Sequence, residues 1–288
     1  MRFDIISWVK DGAWALPRTL KRLERVLPSE CVHRKIMVDD HSQDETVSIG
    51  KDFNWEVYDN PKTGIFSGAN YALSKVDCPF FMSFEQDLFL ARDWWQKISP
   101  LLSRENVVAA SGVRWMVTSL PLFALDFYIH NSVVKSKETH YASQDFRYGK
   151  YLDNTLWRTD IVRELGGFPK MRCNTGIDTV LSYQIYARGL EWLVDKTVIS
   201  THLRSGGVRE YLKHTMWYSS GYKEIRNKVR KLTGLELPSE FRAILRPFLT
   251  SPIRALDIAL KTREPMLVMI YPVQRLLDYI SYLKGYSP

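Results

Sequence analysis

The sequence predicts an α/β protein: a mostly parallel sheet flanked by helices, with a C-terminal helical extension. Short β-rich runs alternate with helical stripes from Phe3 to Thr201, the pattern of βαβ units. Polar residues gather where three strand runs end, at Lys10-Asp11, Asp39-Asp40 and Glu85/Asp87. In an open α/β sheet, ligands bind outside the carboxyl ends of the strands. Beyond His202 the pattern changes to amphipathic stripes.

Residues 3–9 (Phe-Asp-Ile-Ile-Ser-Trp-Val) read as the first strand. Leu16, Leu20, Leu23 and Leu27 then recur at helical spacing, with Arg18, Lys21, Arg22 and Arg25 off the stripe and Pro28 as a stop. Residues 35–38 form a second strand ending in Asp39-Asp40-His41-Ser42, and Asp44 is placed to cap a short helix. Residues 55–58 form a third strand, 60–64 (Asn-Pro-Lys-Thr-Gly) a turn and 67–75 a helix. The fourth strand, 79–84, runs straight into Glu85-Gln86-Asp87; 91–102 is helical and 107–111 is a fifth strand.

Residues 114–151 are irregular and aromatic, with His130, His140, Tyr141, Phe146 and Tyr148, and read as a lid or binding loop. Residues 154–158 return as a strand, and 160–165 form a helix closed by Gly166-Gly167. Asp178 is placed to cap a helix over 179–188 that Gly189 ends. Residues 190–194 and 198–201 are two further strands, followed by His202. The division is therefore a core over 1–202, with 114–151 as an insert, and a helical extension over 203–288. In the extension a long helix ends at Gly234. A stripe through Phe241, Ile244, Leu245, Phe248 and Leu249 follows, and another from Leu267 to Leu283 is interrupted by Pro272.

An apolar fraction of 45% with 13% aromatics is enough for a packed core. The net charge of +8 lies wholly in residues 203–288, which hold 15 Lys/Arg against 7 Asp/Glu, whereas residues 1–202 balance. Such asymmetry predicts an anionic partner, membrane or nucleic acid, or else a solvated basic face; nothing in residues 1–202 supports nucleic acid. Three scattered cysteines (Cys31, Cys78, Cys173) without a CxxC pair argue against a zinc cage and a disulfide framework, and favour a reducing compartment. Met1-Arg-Phe-Asp enters the first strand without a signal-peptide layout. The longest apolar run, 266–273, is far short of the ~20 residues of a spanning helix. The basic amphipathic stripes after residue 203 fit either a membrane interface or packing on the sheet domain or a second subunit; the expected location is cytoplasmic, with peripheral contact on the inner face of a membrane in the first case. No GxGxxG follows a strand, which excludes a dinucleotide-dependent dehydrogenase. Gly12 alone in 10–18 argues against the phosphate-cradling loop of a nucleotidyltransferase.

Two acids one residue apart at the exit of a buried strand suit a divalent cation such as Mg²⁺ or Mn²⁺, with the solvated strand end as the plain alternative.

These features together resemble family 2 glycosyltransferases of the GT-A fold over residues 3–202. Val38-Asp-Asp-His-Ser-Gln-Asp-Glu-Thr46 is similar to the family's Asp-Asp-Gly-Ser-type sequence, with His41 in place of Gly. Gly64 to Asn70 resembles its Gly…Asn helix start, and Glu85-Gln86-Asp87 sits where the family carries Asp-x-Asp. Leu165-Gly-Gly-Phe168 and the run from Asp178 to Gly189 also match, although Ile177 replaces the acid that usually precedes the catalytic Asp. His202 stands where many members close the last core strand with histidine. No Gln-x-x-Arg-Trp of the processive synthases is present.

The resemblance implies inverting transfer of a sugar from a nucleotide-diphosphate sugar, UDP- or GDP-linked, to an acceptor hydroxyl; the charge split and the amphipathic stripes add the expectation that the acceptor is a lipid-linked or cell-surface glycan. It assigns Mn²⁺ or Mg²⁺ to Asp87, Glu85 and His202. It assigns nucleotide-sugar contacts to Asp39, Asp40, Ser7, Trp8, Asn70 and Gln86, and the role of base to Asp178, for which helix capping is the local alternative. A catalytically degenerate nucleotide-sugar-binding protein of the same fold is the competing reading.

Overall fold

The computed structural model describes residues 1–117, 121, 125, 140–141, 150–204 and 206–285. Most of the predicted aromatic insert, including His130, Phe146 and Tyr148, lies outside the described residues.

Among the described residues nine strands form one sheet. They are β1 (Phe3–Val9), β2 (Val32–Asp39), β3 (Glu56–Asp59), β4 (Phe80–Phe84), β5 (Leu88–Phe89), β6 (Val107–Val117), β7 (His140–Tyr141), β8 (Thr155–Arg158) and β9 (Glu191–Leu203). Their order is β3-β2-β1-β4-β8-β6-β9-β5, with β7 beside β9. β1 to β4 are parallel, with Ile6 opposite Ile36 on one side and Ser83 on the other. Every residue of β1 is buried, which is why it reads as a continuous apolar run: parallel strands are covered on both faces. β8 runs antiparallel between β4 and β6, and β5 and β7 run antiparallel on β9. The sheet is thus a parallel half joined to an antiparallel half.

Four predicted elements change shape. The two strands expected at 190–194 and 198–201 are one strand, β9, because the ladder continues through the polar trio: Asp195 stands in register opposite His140. The helix expected over 91–102 is a short helix, α4 (Trp94–Ile98), followed by a 3₁₀ turn at Ser99–Ser103. Pro100 has no N–H to continue the α pattern. The third helix, α3 (Ile65–Ser74), begins earlier than expected because Gly64, at φ 88°, turns the chain into it. The helix expected over 179–188, with Asp178 as its cap, is α6 (Ile177–Ala187), so Asp178 lies inside its first turn.

The core of this part lies between the sheet and α1 (Leu16–Val26), which sets Leu16, Leu20 and Leu23 into it, all at most 1% exposed. On the sheet, Trp157 packs against Phe81, Phe168 and Trp192, with ring centroids 6.1, 6.1 and 4.6 Å away. Gly112 marks a close approach: a Cβ there would lie 2.6 Å from the Val198 carbonyl oxygen.

By contact density the chain divides into two units. One comprises Met1–Arg114, Glu138–Lys170 and Ile177–Leu203; the other comprises Trp115–Lys137, Met171–Gly176 and Arg204–Pro288. In the second, the predicted long helix is two, α7 (Val208–Ser220) and α8 (Tyr222–Thr233), which meet at Gly221. Segment 171–176 passes so near that a Cβ on Gly221 would lie 2.5 Å from Thr175 Cγ2 and 2.8 Å from Cys173 Sγ. Trp217 donates its indole N–H to the Cys173 carbonyl (2.7 Å), and Glu224 accepts the N–H groups of Arg172 and Cys173 (2.8 and 3.1 Å). After a π turn (Phe241–Leu245) come α9 (Arg246–Leu249), α10 (Ser251–Thr262) and α11 (Leu267–Lys284). α11 runs through Pro272 rather than breaking there. Among the described residues no helix is long and apolar enough to cross a membrane.

The tight passage at Gly112 yields a stability prediction. Gly112→Ala should cost about 1–3 kcal/mol, the usual penalty of overpacking, because the obstacle is backbone and cannot rotate away. Urea denaturation monitored by tryptophan fluorescence measures it.

Candidate active site

β4 ends at Phe84, and the chain crosses Glu85-Gln86-Asp87 into the two-residue strand β5. That strand was not expected from the sequence, and it builds the site. Leu88 pairs with His202, and the Leu203 N–H donates to the Asp87 carbonyl at 2.8 Å. The pairing sets His202 Nε2 2.9 Å from Asp87 Oδ1 and 3.7 Å from Glu85 Oε2. Ligand atoms of all three residues lie within 4.8 Å of one another, and His202 is 2% exposed. Two carboxylates and an imidazole at this spacing fit a hard divalent cation, since metal–oxygen bonds of about 2.0–2.1 Å put adjacent ligand atoms about 3 Å apart.

A second metal-capable group, Asp4, His33 and Cys78, lies at the amino ends of the strands. Its chemistry is structural. Asp4 Oδ2 accepts the N–H groups of Asp77 and Cys78 (2.7 and 3.0 Å); Oδ1 accepts that of Arg34 (3.1 Å) and faces His33 Nδ1 at 3.0 Å. Burial, with Asp4 beside it, pushes the Cys78 thiol up to about 11, so it is a thiol rather than a thiolate at neutral pH. The cluster at the carboxyl ends is the better candidate.

The remaining predicted residues take distinct places. Gln86 points to the exit of β1, where its amide accepts from the Lys10 N–H and donates to the Lys10 carbonyl, both at 2.8 Å. Asp40 Oδ1 accepts from Asn60 Nδ2 (2.8 Å) and the Gly64 N–H (3.1 Å), with Lys10 Nζ 3.8 Å from its other oxygen. Asp39, 3% exposed, accepts the Ser42 N–H and hydroxyl and so closes the turn after β2. Asn70 brackets Phe168, accepting its N–H (3.0 Å) and donating to its carbonyl (2.9 Å). Ser7 and Trp8 are buried within β1; Ser7 Oγ has no partner among the described residues, and Trp8 packs edge-on against Phe168 at 5.9 Å. The structure therefore gathers Glu85, Asp87 and His202 in one cluster and Lys10, Asp40 and Gln86 at the neighbouring strand exits. It holds Ser7 inside the sheet and Asn70 behind the Gly-Gly-Phe turn.

Asp178 is half-buried, and its Oδ1 accepts the Thr179 N–H at 2.7 Å. Burial raises its carboxyl above the usual range; that hydrogen bond and the Arg114 charge oppose the rise, and Asp153 adds to it.

Arg114 and Asp153 were not anticipated from the sequence. Arg114 Nη1 lies 2.6 Å from Asp153 Oδ2 and 3.8 Å from Glu85 Oε2, and its guanidinium stacks 3.9 Å over the Tyr151 ring. Asp153 is fully buried, and its Oδ1 has no partner among the described residues. One signal in the sequence marks them: Arg114 is the first charge after the apolar run 107–113, another polar group in the line of a strand.

A sequence model described as glycosyl transferase family 2 matches residues 10–156, and the chain belongs to that family. A comparison with curated proteins finds no match. Among solved structures, the fold resembles the mannosyltransferase PcManGT from Pyrobaculum calidifontis in complex with GDP-Man and Mn²⁺ (TM-score 0.65, 17% identity, 97% of this chain and 87% of that one). It also resembles S. aureus TarS in complex with UDP (TM-score 0.56, 13% identity, 98% of this chain and 89% of that one) and with UDP-GlcNAc (TM-score 0.54, 11% identity, 100% and 93%).

Two stability predictions follow from the buried charges. Arg114→Ala leaves the buried Asp153 without the guanidinium 2.6 Å away, a loss of about 3–5 kcal/mol for a broken buried pair, readable as a lower denaturation midpoint. Asp178 acts in the opposite sense. Its native-state carboxyl is raised, so ionisation costs nothing below the unfolded value of about 3.9 and costs fully above the native value. Asp178→Asn should therefore melt no lower than the parent at pH 7, and its advantage should shrink as the pH falls.

Proposed function

We propose that the chain transfers a sugar from a nucleoside-diphosphate sugar to an acceptor hydroxyl with inversion at the anomeric carbon. The observation that carries this reading is the convergence of Glu85, Asp87 and His202 at the carboxyl end of the sheet of a family 2 fold. The donor and cation in the PcManGT complex, and the nucleotides in the TarS complexes, support a nucleotide-sugar donor and a divalent ion.

In this reading Asp87, Glu85 and His202 hold Mn²⁺ or Mg²⁺. When bound, the ion supplies Lewis-acid neutralisation of the diphosphate leaving group. Asp40, at the exit of β2 beside Lys10, meets the nucleotide. Asp39, Asn70 and Gln86 shape its surroundings through the backbone they hold, and Ser7 and Trp8 do so from within β1. Asp178 takes the acceptor proton: a raised carboxyl is a stronger base once ionised. Arg114 keeps Asp178 from rising further and positions Asp153 and Glu85. Residues 1–202 form the catalytic core, and 114–151 and 203–288 meet the acceptor. That acceptor is a lipid-linked or cell-surface glycan, reached by a cytoplasmic enzyme at the inner face of a membrane. Glu85 in place of Asp and Ile177 in place of an acid favour one rival, a nucleotide-sugar-binding protein without turnover.

Thermal melting with UDP, GDP, dTDP and CDP, each with and without Mn²⁺, tests the site. One nucleotide should raise the melting temperature in a metal-dependent way; saturation at a hundredfold excess over Kd is worth about 2.7 kcal/mol. Asp87→Ala should lose the metal-dependent part. Asp178→Asn should keep the nucleotide shift and abolish transfer. A metal-dependent shift without transfer by the parent chain to any offered acceptor points to the binding protein, and near-parental transfer by Asp178→Asn removes Asp178 as the base.

A further inference from the structure

We infer that the outward faces of α10 and α11 lie in the surface of an anionic lipid bilayer. The inference deepens the membrane-acceptor part of the proposed function, although its evidence is independent of the catalytic residues.

Each helix carries two stripes. On α10 the inner stripe is Ala255, Ile258 and Ala259, at most 7% exposed, packed with Leu125, Leu267 and Tyr271. Ile253, Leu256 and Leu260, spaced i, i+3, i+7, lie on the other side at 78, 54 and 73% exposure. A helix that needs only one buried stripe has no use for the second in water.

α11 has a mixed inner face and an apolar outer one. Its buried face sets Gln274, Asp278 and Ser281, each at most 6% exposed, beside Leu267, Tyr271 and Tyr282. Asp278 accepts from the Ser219 hydroxyl (2.9 Å) and pairs with Arg275 (3.1 Å). On the opposite face Met269, Val273, Leu276 and Leu283 are 77, 47, 42 and 55% exposed. A helix that buries polar groups inward and presents methionine, valine and leucine outward suits an apolar surrounding. With no helix among the described residues long and apolar enough to span a membrane, the surrounding that fits is an interface along which the helices lie.

Charge selects the occupant. Arg242, Arg246, Arg254 and Arg263 are exposed on this part of the chain, and residues 203–288 carry the entire excess of +8. A second copy would bring the same positive surface against itself, whereas anionic headgroups complement it, with each basic residue near such a surface adding to binding until salt screens it.

The test is co-sedimentation of the full chain with phosphatidylcholine vesicles, with and without a minority of phosphatidylglycerol, at low and high salt. Binding should require the anionic lipid and weaken with salt. Leu260→Asp combined with Met269→Asp should reduce it about tenfold or more while leaving the melting temperature unchanged, because both side chains are exposed. A milder pair, Leu260→Ser with Met269→Ser, guards against misfolding and should reduce binding in the same direction. The inference is overturned by no anionic-vesicle binding, by binding indifferent to both pairs, or by a dimer in light scattering that the substitutions dissolve. Nucleotide-dependent melting is read on the same samples. Vesicle binding without a nucleotide response keeps this surface and rejects the catalytic reading; a nucleotide response without vesicle binding does the reverse.

Discussion

The pairing of Leu88 and Phe89 with Thr201 and His202 is the constraint on which the site depends. Two residues make a strand of little stability on their own, and this one is held from two directions: β4 delivers the chain to it in sequence, and the long β9 offers it an edge to pair with. Without this short ladder, the acids after Phe84 would sit at a strand end far from any imidazole. With it, residues 115 positions apart in sequence come within 2.9 Å. The cluster of Glu85, Asp87 and His202 is thus set by strand pairing at the edge of the sheet, with the two acids on the short link between β4 and β5.

Amide side chains fasten the loops around it. Gln86 holds Lys10, and Asn70 holds Phe168, each by one accepted and one donated hydrogen bond. Each mimics a rung of a β-ladder, so a loop backbone gains a partner that no strand could reach. Carboxylates serve the same purpose where N–H groups cluster: Asp4 at the amino ends, Asp39 and Asp40 at the carboxyl ends. Buried polar groups therefore act here first as fasteners. Glu85, Asp87 and His202 differ in that their polar atoms face one another, the arrangement a cation reconciles.

Much of this was legible in the residues. Strand runs, their polar exits and the stripe of α1 follow from local periodicity; Glu85 and Asp87 stood out as polar groups closing an apolar strand, and His202 joined them through the family resemblance. β5 was not legible, since two residues carry no period, and its pairing is settled by β9 much later in the chain. The antiparallel course of β8 was equally hidden, because alternation fixes which face a residue occupies and not the direction of the strand. Arg114 and Asp153 escaped because a buried ion pair is a relation between two places, and neither residue announces its partner. The mixed inner face of α11 was masked for a related reason: its stripes are visible, but only packing tells which faces inward.

The edge-to-face tryptophans of the sheet have a spectroscopic consequence. Trp157 and Trp192 stand 4.6 Å apart at an interplanar angle of 60°, each anchored by an indole hydrogen bond to a serine, Ser83 and Ser111. Two indoles fixed so closely and so far from parallel couple their transitions, so β8 and β9, which lie on either side of β6, contribute a coupled circular-dichroism band. The molecule thus carries, without a label, an optical signal of the antiparallel half of its sheet, separable from its seven other tryptophans by replacing either member of the pair with phenylalanine.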